Sequence, residues 1–210
     1  MERTIGKLAR AMAAHDRSTY EHAQRVQRYA LALAREAGIG DAAQLETIDI
    51  AAHLHDIGKL RIPEGLLHKP GPLTRDEYDR VKQHAIIGAG ILSTAGLRES
   101  VALLVRHHHE NWDGTGYPDR LGSNAIPIGA RVLSVADCYD ALTSDRPYRR
   151  ALSHEYAVAM ILERRGSMYD PDVVDAFERI VQALEFHSAT VGDRARHARV
   201  DSPTPQARAM

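Results

Sequence analysis

Apolar residues recur at helical spacing along most of this chain, and no segment alternates apolar and polar side chains as a half-buried strand does. A clear example lies between Asp16 and Arg35. Its apolar positions are Val26, Tyr29, Ala30, Leu33 and Ala34. Because positions three and four apart share one face of a helix, this stretch buries a single stripe. The periodicity predicts an all-α fold, built as a helical bundle.

Start and stop signals divide this pattern into separate helices. Asp16, Asp41 and Ser153 are predicted N-caps, and residues 74–77 (TRDE) have the sequence of a capping box. The predicted helical segments are 5–13, 16–35, 41–56, 74–92, 100–109, 130–142, 153–164 and 171–184. Residues 59–73 contain three prolines and are predicted to form a loop.

Bulk properties limit the function classes. A length of 210 residues suits one domain, and we expect a helical lead-in at 1–15, the domain at 16–186 and a disordered tail at 187–210. The formal net charge of −1 gives no overall attraction to duplex nucleic acid or to a membrane, and no stretch has the length and hydropathy of a membrane span. The single cysteine, Cys138, excludes an intramolecular disulfide and, without a signal peptide, predicts a cytoplasmic location.

Histidine is the residue type that points to chemistry, since the chain has twelve. His55-Asp56 follows an apolar helix, and the two oxygens of such a carboxylate can bridge two cations. Phosphodiester hydrolysis is well served by two metal ions roughly 3.5–4 Å apart. Further candidate ligands are His22, His84, His108, His109 and Asp137. Mixed imidazole and carboxylate ligands suit iron, manganese or zinc, but spacing alone leaves the ligand set open.

A series of motifs follows one another along the chain. The motifs are His22-x-x-Arg25, His55-Asp56-Ile57-Gly58-Lys59, residues 69–74 (KPGPLT), His84, His108-His109-Glu110, Gly114-x-Gly116-Tyr117-Pro118 and residues 136–149 (ADCYDALTSDRPYR). Their order resembles that of the HD-GYP family. Together they span about residues 14–185. The resemblance implies an all-helical HD-type bundle with a glycine-rich GYP loop.

The resemblance also implies a binuclear metal site. One divalent ion would take His22, His55, Asp56 and Asp137, and the other would take His84, His108 and His109, with Asp56 bridging. Iron or manganese is expected first, with zinc, nickel or cobalt as further candidates. Some family members hold a third ion through a glutamate in the place of Ser18, and a serine hydroxyl is a poor substitute. We therefore predict two ions.

The activity that the resemblance implies is hydrolysis of cyclic di-GMP, a bacterial second messenger, to pGpG and onward to GMP. A hydroxide that bridges the metals would attack phosphorus. Lys59 would contact the phosphate or protonate the leaving group, and Arg146 and Arg149 would bind phosphate oxygens. Two alternatives stay open: a catalytically weak sensor or scaffold, and a phosphodiesterase that prefers cyclic GMP-AMP.

The GYP loop has two interpretations. Gly116 can serve a tight turn that the ligands need, or an exposed Tyr117 and Pro118 can form a docking surface for diguanylate cyclase (GGDEF-domain) proteins, as the resemblance implies. Neither makes Tyr117 catalytic. A homodimer is also open.

Several neighbours of the candidate ligands receive structural interpretations. Arg25 is expected to orient a ligand rather than bind substrate, and Asp140 to bond a ligand imidazole or cap a turn. His107 is predicted to be solvated and His53 to pack away from the site. The remaining predictions concern Glu110 (not a ligand), Asp113 (beside the ligands or a turn residue), Cys138 (a buried small apolar residue) and Trp112 (core, or a surface for guanine).

Overall fold

The computed structural model describes residues 1–145 and 150–181, and this part of the chain is helical. Apart from one bridge between Arg165 and Tyr169, it contains no β-structure. The helices are α1 Glu2–His15, α2 Arg17–Glu36, α3 Ala42–Leu54, α4 Glu64–Leu67, α5 Arg75–Thr94, α6 Glu99–His107, α7 Ile128–Thr143, α8 His154–Glu163 and α9 171–181, with 3₁₀ turns at Ile57–Arg61 and Ser123–Ala125. The prediction of an all-α fold is confirmed.

The predicted helix starts are confirmed because they rest on local hydrogen bonds. Asp16, Asp41 and Ser153 each accept a backbone N–H at the start of a helix, and Thr74 forms a complete capping box with Glu77. Most bounds shift by one to three residues, as in α1, and two predictions need a specific correction. The region 59–73 holds a 3₁₀ turn and the short helix α4 rather than only a loop. Helix α6 ends at His107 instead of His109, because the Glu110 N–H turns back to the His107 carbonyl.

The core forms where α2, α3, α6 and α7 pack on one another. Helix α3 contacts α2, α6 and α7, and its buried side chains include Ile48, Ile50 and Leu54. Near α9, the Tyr139 ring lies between Tyr29 and Phe177, with edge-to-face centroid distances of 5.2 and 5.4 Å. Because α3 is central, the residues at its C-terminal end come to lie inside the molecule.

A backbone contact joins the end of α3 to α5. A Cβ atom added to Gly58 would lie 1.9 Å from the His84 carbonyl oxygen and 2.7 Å from the Gly88 nitrogen. Only glycine allows the 3₁₀ turn to approach α5 this closely. The contact brings Asp56, at the start of the turn, beside His84.

The edges of the described chain complete the fold. Helix α1 packs against α2, α3 and the 3₁₀ turn. Among residues 1–145 and 150–181, no helix combines the length and hydropathy needed to cross a membrane. Arg146, Arg149, the last positions of the helix predicted to reach residue 184, and the tail predicted at 187–210 lie outside the described residues. The boundaries proposed for the lead-in and the tail stay predictions.

Candidate metal centre

Seven side chains that the sequence singles out as ligands meet at one end of the bundle. His22 comes from α2, His84 from α5 and Asp137 from α7. His55 and Asp56 follow α3, and His108 and His109 follow α6. Most are buried: Asp56 is 3% exposed, His55 1% and His108 0%. Side chains from five different elements converge on one polar centre, which is typical of a binding or catalytic site.

His22, His55 and Asp137 form the first group, called here the mixed cluster. The Asp137 Oδ1 atom lies 3.0 Å from His22 Nε2 and 3.8 Å from His55 Nε2. Burial lowers the pKa of His22, but hydrogen bonds to Asp137 and Asp140 outweigh it and raise the pKa to about 9. Burial acts to raise the pKa of Asp137, yet its bond to His22 holds that pKa well below the usual range. The cluster therefore stabilises a positive charge at His22.

His84, His108 and His109 form the second group, the imidazole cluster. His84 Nε2 lies 3.4 Å from His108 Nε2. The Nδ1 atoms of these two rings contact the carbonyl oxygens of Val81 and Val105, each at 2.7 Å. Because a carbonyl only accepts, each Nδ1 carries the hydrogen and each neutral Nε2 presents a lone pair. Two lone pairs therefore point at the same small space.

The pKa values of the imidazole cluster keep it uncharged. Burial, with the neighbouring His109, lowers the pKa of His108 well below its ordinary value. Burial and His84 lower the pKa of His109 to about 3. Burial also lowers the pKa of His84. Protons therefore cannot relieve the crowding of lone pairs at neutral pH, and a bound cation would.

Asp56 stands between the two groups. Its Oδ2 atom lies 3.5 Å from His55 Nε2 in the mixed cluster, and its Oδ1 atom lies 3.6 Å from His84 Nε2 in the imidazole cluster. Burial acts to raise its pKa, but the charge of Lys59 beside it, with that of His22, holds the pKa well below the usual range. The carboxylate is thus ionised, with one oxygen directed to each cluster.

These residues fit two divalent cations. His55 Nε2 is buried without a hydrogen-bond partner among the described residues, while its Nδ1 contacts the Ala52 carbonyl at 2.8 Å. An unpartnered buried nitrogen is costly unless something binds it. The donors are imidazole nitrogens and carboxylate oxygens, the set that suits iron, manganese or zinc. The fold accordingly presents clusters that can bind metal, and the donor set leaves the identity of the metal open.

An outer pair of residues orients His22. Asp140 accepts from His22 Nδ1 at 2.6 Å, and Arg25 donates to both Asp140 oxygens at 2.7 and 3.0 Å. A carboxylate behind a ligand imidazole fixes the ring and its tautomer. The structural role expected for Arg25 and the imidazole bond expected for Asp140 are confirmed.

Lys59 donates from Nζ to Asp56 Oδ2 at 2.7 Å. It lies in the 3₁₀ turn, with about a quarter of its side chain exposed. The ammonium group therefore adjoins the space between the clusters. Its contact with a phosphate stays a prediction, as do those of Arg146 and Arg149, which lie outside the described residues.

His107 corrects the sequence interpretation, because it is 7% exposed rather than solvated. The loop after α6 folds back so that Asp119 Oδ2 reaches His107 Nε2 at 2.9 Å. Arg106 donates two hydrogen bonds to Asp119, and Glu110 accepts the N–H groups of Asp119 and Leu121. These acidic oxygens are already occupied, so the group fastens the loop to α6.

The GYP loop packs on the imidazole cluster. A Cβ atom on Gly116 would lie 2.2 Å from the Asn111 nitrogen, so the turn needs glycine. The Tyr117 ring lies against His109, with centroids 4.9 Å apart. Tyr117 is half-buried, so the expectation of an exposed tyrosine was wrong; the reason is this ring contact. The interpretation of Gly116 as a turn residue is confirmed.

The remaining neighbours lie beside the site. His53 contacts Gln27 and Tyr20 outside both clusters, and the Asp113 carboxylate accepts from Thr115 in a turn. Trp112 is half-buried, with the Arg131 guanidinium 5.6 Å from its ring, rather than a core residue. Cys138 is half-buried, and burial raises the pKa of its thiol. Ser18 is exposed and does not reach either cluster.

A cleft of about 900 Å³ opens beside the imidazole cluster. His108, His109 and Asp137 line it, and Asp137 is the most exposed carboxylate of the centre at 18%. Sequence reasoning missed most of its other polar lining residues, which include Tyr78, Asp79, Lys82, Arg120, Ser134 and Arg164. Only Tyr78 and Lys82 carried a detectable signal, as an aromatic and a cation one helical turn apart just before His84.

Comparison with known proteins gives a consistent picture. The HD domain family matches residues 7–173. The cyclic di-GMP phosphodiesterase response regulator RpfG of Xanthomonas campestris pv. campestris is 42% identical over 184 residues, which are 87% of this chain and 48% of that protein. The 3'3'-cGAMP-specific phosphodiesterase 2 of Vibrio cholerae is 36% identical and covers 81% of this chain and 33% of its own. The chain therefore spans about half or less of the length of these relatives.

Solved structures share the fold. A cyclic GMP-AMP specific phosphodiesterase of Vibrio cholerae superposes with a TM-score of 0.64 at 18% identity, over 88% of this chain and 49% of that one.

Proposed function

The chain belongs to the HD domain family, in its HD-GYP branch, and from this we propose that it is a metal-dependent phosphodiesterase that hydrolyses cyclic di-GMP. The observation that carries the proposal is the bridging placement of Asp56, with one oxygen 3.5 Å from His55 and the other 3.6 Å from His84. A carboxylate so placed suits a pair of cations, and paired cations suit phosphodiesters.

We assign one ion to His22, His55, Asp56 and Asp137 and the other to His84, His108 and His109, with Asp56 shared. When bound, two divalent ions supply Lewis acidity that offsets charge on the phosphate and favours the ionisation of water. Iron or manganese is proposed first. Elemental analysis of anaerobically purified protein should give two ions per chain; three would overturn the interpretation of Ser18.

The chain's own residues then bind and orient the substrate. The cleft reaches the metal centre on its Asp137 side, so a phosphate can enter there. Arg120 and Arg164 line the cleft and would attract a dianionic cyclic dinucleotide, while Lys82, also in the lining, is paired with Asp79. We keep Lys59, Arg146 and Arg149 as further phosphate contacts, with Lys59 as proton donor to the leaving group.

Product analysis by liquid chromatography tests the proposal. Iron-loaded and manganese-loaded protein would receive cyclic di-GMP, pGpG and 3'3'-cGAMP in separate reactions. We expect cyclic di-GMP to be converted to pGpG, and then to GMP if the linear product can rebind. An Asp56→Ala variant should be inactive, while Asp49→Asn, which changes a carboxylate bonded only to Gln27, should not. Full activity in Asp56→Ala would remove Asp56 from its bridging role.

Two other functions have different support. The relative named as 3'3'-cGAMP-specific, at 36% identity, keeps cyclic GMP-AMP as the second candidate substrate. A scaffold without catalysis is less favoured, because all seven expected ligands converge. Loaded protein that turned over none of the three nucleotides would reverse that order.

The partners and location are also proposals. Contact with GGDEF-domain proteins through Gly116, Tyr117 and Pro118 would use the rim of the cleft rather than a freely exposed tyrosine. We propose a cytoplasmic location in a bacterium, supported by the single cysteine. A homodimer remains a further candidate state, which the mass in solution would test.

A further inference from the structure

One end of the cleft has the chemistry of a nucleobase subsite. Ser134, Cys138, Arg164, Met168 and Tyr169 line it, and we call this region the Arg164 slot. On α7, Ser134 lies one helical turn before both Asp137 and Cys138, and all three residues line the cleft. The slot therefore begins beside the metal centre, where the base of a nucleotide would lie if its phosphate were at Asp137.

The Arg164 side chain is held in place but not neutralised. It is half-buried, and no described carboxylate lies within ion-pair distance of it. The Tyr169 hydroxyl interacts electrostatically with Arg164 and with the Cys138 thiol, so the three side chains are neighbours in the slot. Burial raises the pKa of Tyr169, so this hydroxyl stays neutral. An oriented arginine without an acidic partner has donors free for a ligand.

The backbone around Arg164 is also fixed. Its carbonyl accepts the N–H groups of Ser167, Met168 and Tyr169 at 3.1–3.2 Å. The same turn is tied to the loop before the GYP motif, because Trp112 N–H donates to the Met168 carbonyl at 3.0 Å. Arg164 thus stands on a rigid turn, as a residue that discriminates between ligands requires.

The two purines differ at the edges that such a slot can contact. Guanine presents two acceptors, O6 and N7, and an arginine fork can donate to both. Adenine presents N7 beside an amino group, so one arginine N–H would meet another donor. Ser134 Oγ donates its hydrogen to the Arg131 carbonyl at 2.9 Å and is left as an acceptor, which suits the N–H groups of guanine.

We propose that Arg164 is a specificity-determining residue that selects guanine over adenine in the base next to the metal centre. The inference rests on the proposed function, because it takes a cyclic dinucleotide as the ligand. It adds a physical reason for a preference for guanine. A bidentate contact between arginine and guanine changes the affinity by about ten- to a hundredfold relative to the wrong base.

The test compares Arg164→Gln with Arg165→Gln. Arg165 is the adjacent arginine, but it pairs with Asp175 at 2.6 and 2.8 Å and does not line the cleft. For manganese-loaded protein we would measure kcat/KM for cyclic di-GMP, 3'3'-cGAMP and cyclic di-AMP. For chelator-treated protein we would measure dissociation constants for the same three. Arg164→Lys keeps the charge but loses the fork.

The wild type and Arg165→Gln should favour cyclic di-GMP over cyclic di-AMP by about tenfold or more in both measurements. Arg164→Gln should reduce this ratio to within about threefold or reverse it, since glutamine pairs with adenine. An unchanged ratio in Arg164→Gln or in Arg164→Lys, or no base preference in the wild type, would overturn the inference. If loaded protein cleaves none of the three, the proposed function fails, while the binding ratios still decide the role of Arg164.

Discussion

The mixed cluster and the imidazole cluster share Asp56 but stabilise charge in opposite ways. In the mixed cluster, Asp137 and Asp140 flank His22 and raise its pKa to about 9, so a proton can occupy this side when no metal does. In the imidazole cluster, burial lowers the pKa of all three histidines, and the Nε2 atoms of His84 and His108 face each other at 3.4 Å while the hydrogens lie on Nδ1.

The two clusters therefore differ in how their charge is balanced when no metal is bound. The mixed cluster can stay together through its own ion pairs, whereas the crowded lone pairs of the imidazole cluster would be offset by a bound cation. We therefore expect the two clusters to bind metal with different affinities and different pH dependence, although they share Asp56.

The largest loss of activity is expected for a substitution of Asp56, the residue that the two clusters share. Asp56→Asn should reduce kcat by at least about a thousandfold, because the amide cannot bridge two cations and several kcal/mol of charge stabilisation are lost. Metal content should fall below one ion per chain. Steady-state kinetics and elemental analysis would measure both, with Asp49→Asn as the control. A variant that kept two ions would show that the clusters bind independently.

A ligand change within one cluster should remove one ion only. His108→Ala should leave about one ion per chain, held by the mixed cluster, and reduce kcat on the order of a hundredfold or more because one of two Lewis acids is missing. His53→Ala provides a histidine control outside both clusters. Elemental analysis is the measurement, with circular dichroism to show that the variant folds. Loss of both ions would contradict separate sites.

Asp140→Asn should weaken metal binding at the mixed cluster and spare the imidazole cluster. Removing the carboxylate behind His22 should lower affinity for the ion of the mixed cluster by about 10–100-fold and leave the imidazole cluster nearly unchanged. Competition with a chromophoric chelator would resolve the two binding steps. Equal weakening of both steps would mean that Asp140 acts on the fold rather than on His22.

The last prediction concerns pH rather than a substitution. A metal entering the mixed cluster must displace the proton on His22, whose pKa is raised to about 9, so affinity there should rise about tenfold per pH unit from pH 7 and level off near pH 9. The imidazole cluster, with lowered pKa values, is already neutral and should show no rise over this range. Chelator competition at several pH values would test the contrast; parallel slopes would refute it.

Local chemistry explains why the helix starts and the ligand types could be predicted. Asp16, Asp41, Thr74 and Ser153 act on backbone groups two or three residues away, so their neighbours in sequence suffice. The ligand set was expected only through the resemblance, because the seven residues come from five elements. The structure brings them together, and metal binding remains to be measured.

Long-range packing explains what could not be predicted. His107 is buried because Asp119, twelve residues later, folds back onto it. Tyr117 is half-covered because the loop lays its ring on His109. The Arg164 slot combines residues from α7 and from the turn after α8, about thirty positions apart. Such juxtapositions depend on the tertiary fold, and periodicity carries no signal for them.

The glycine at position 58 has a consequence for how this centre can change over time. Because the 3₁₀ turn meets α5 backbone to backbone, the separation of Asp56 from His84 is fixed by main-chain atoms rather than by side-chain volume. Substitutions that resize the core can then accumulate without shifting the bridge, provided that this one residue is kept. Core residues can thereby change in sequence while the distance between Asp56 and His84 is kept.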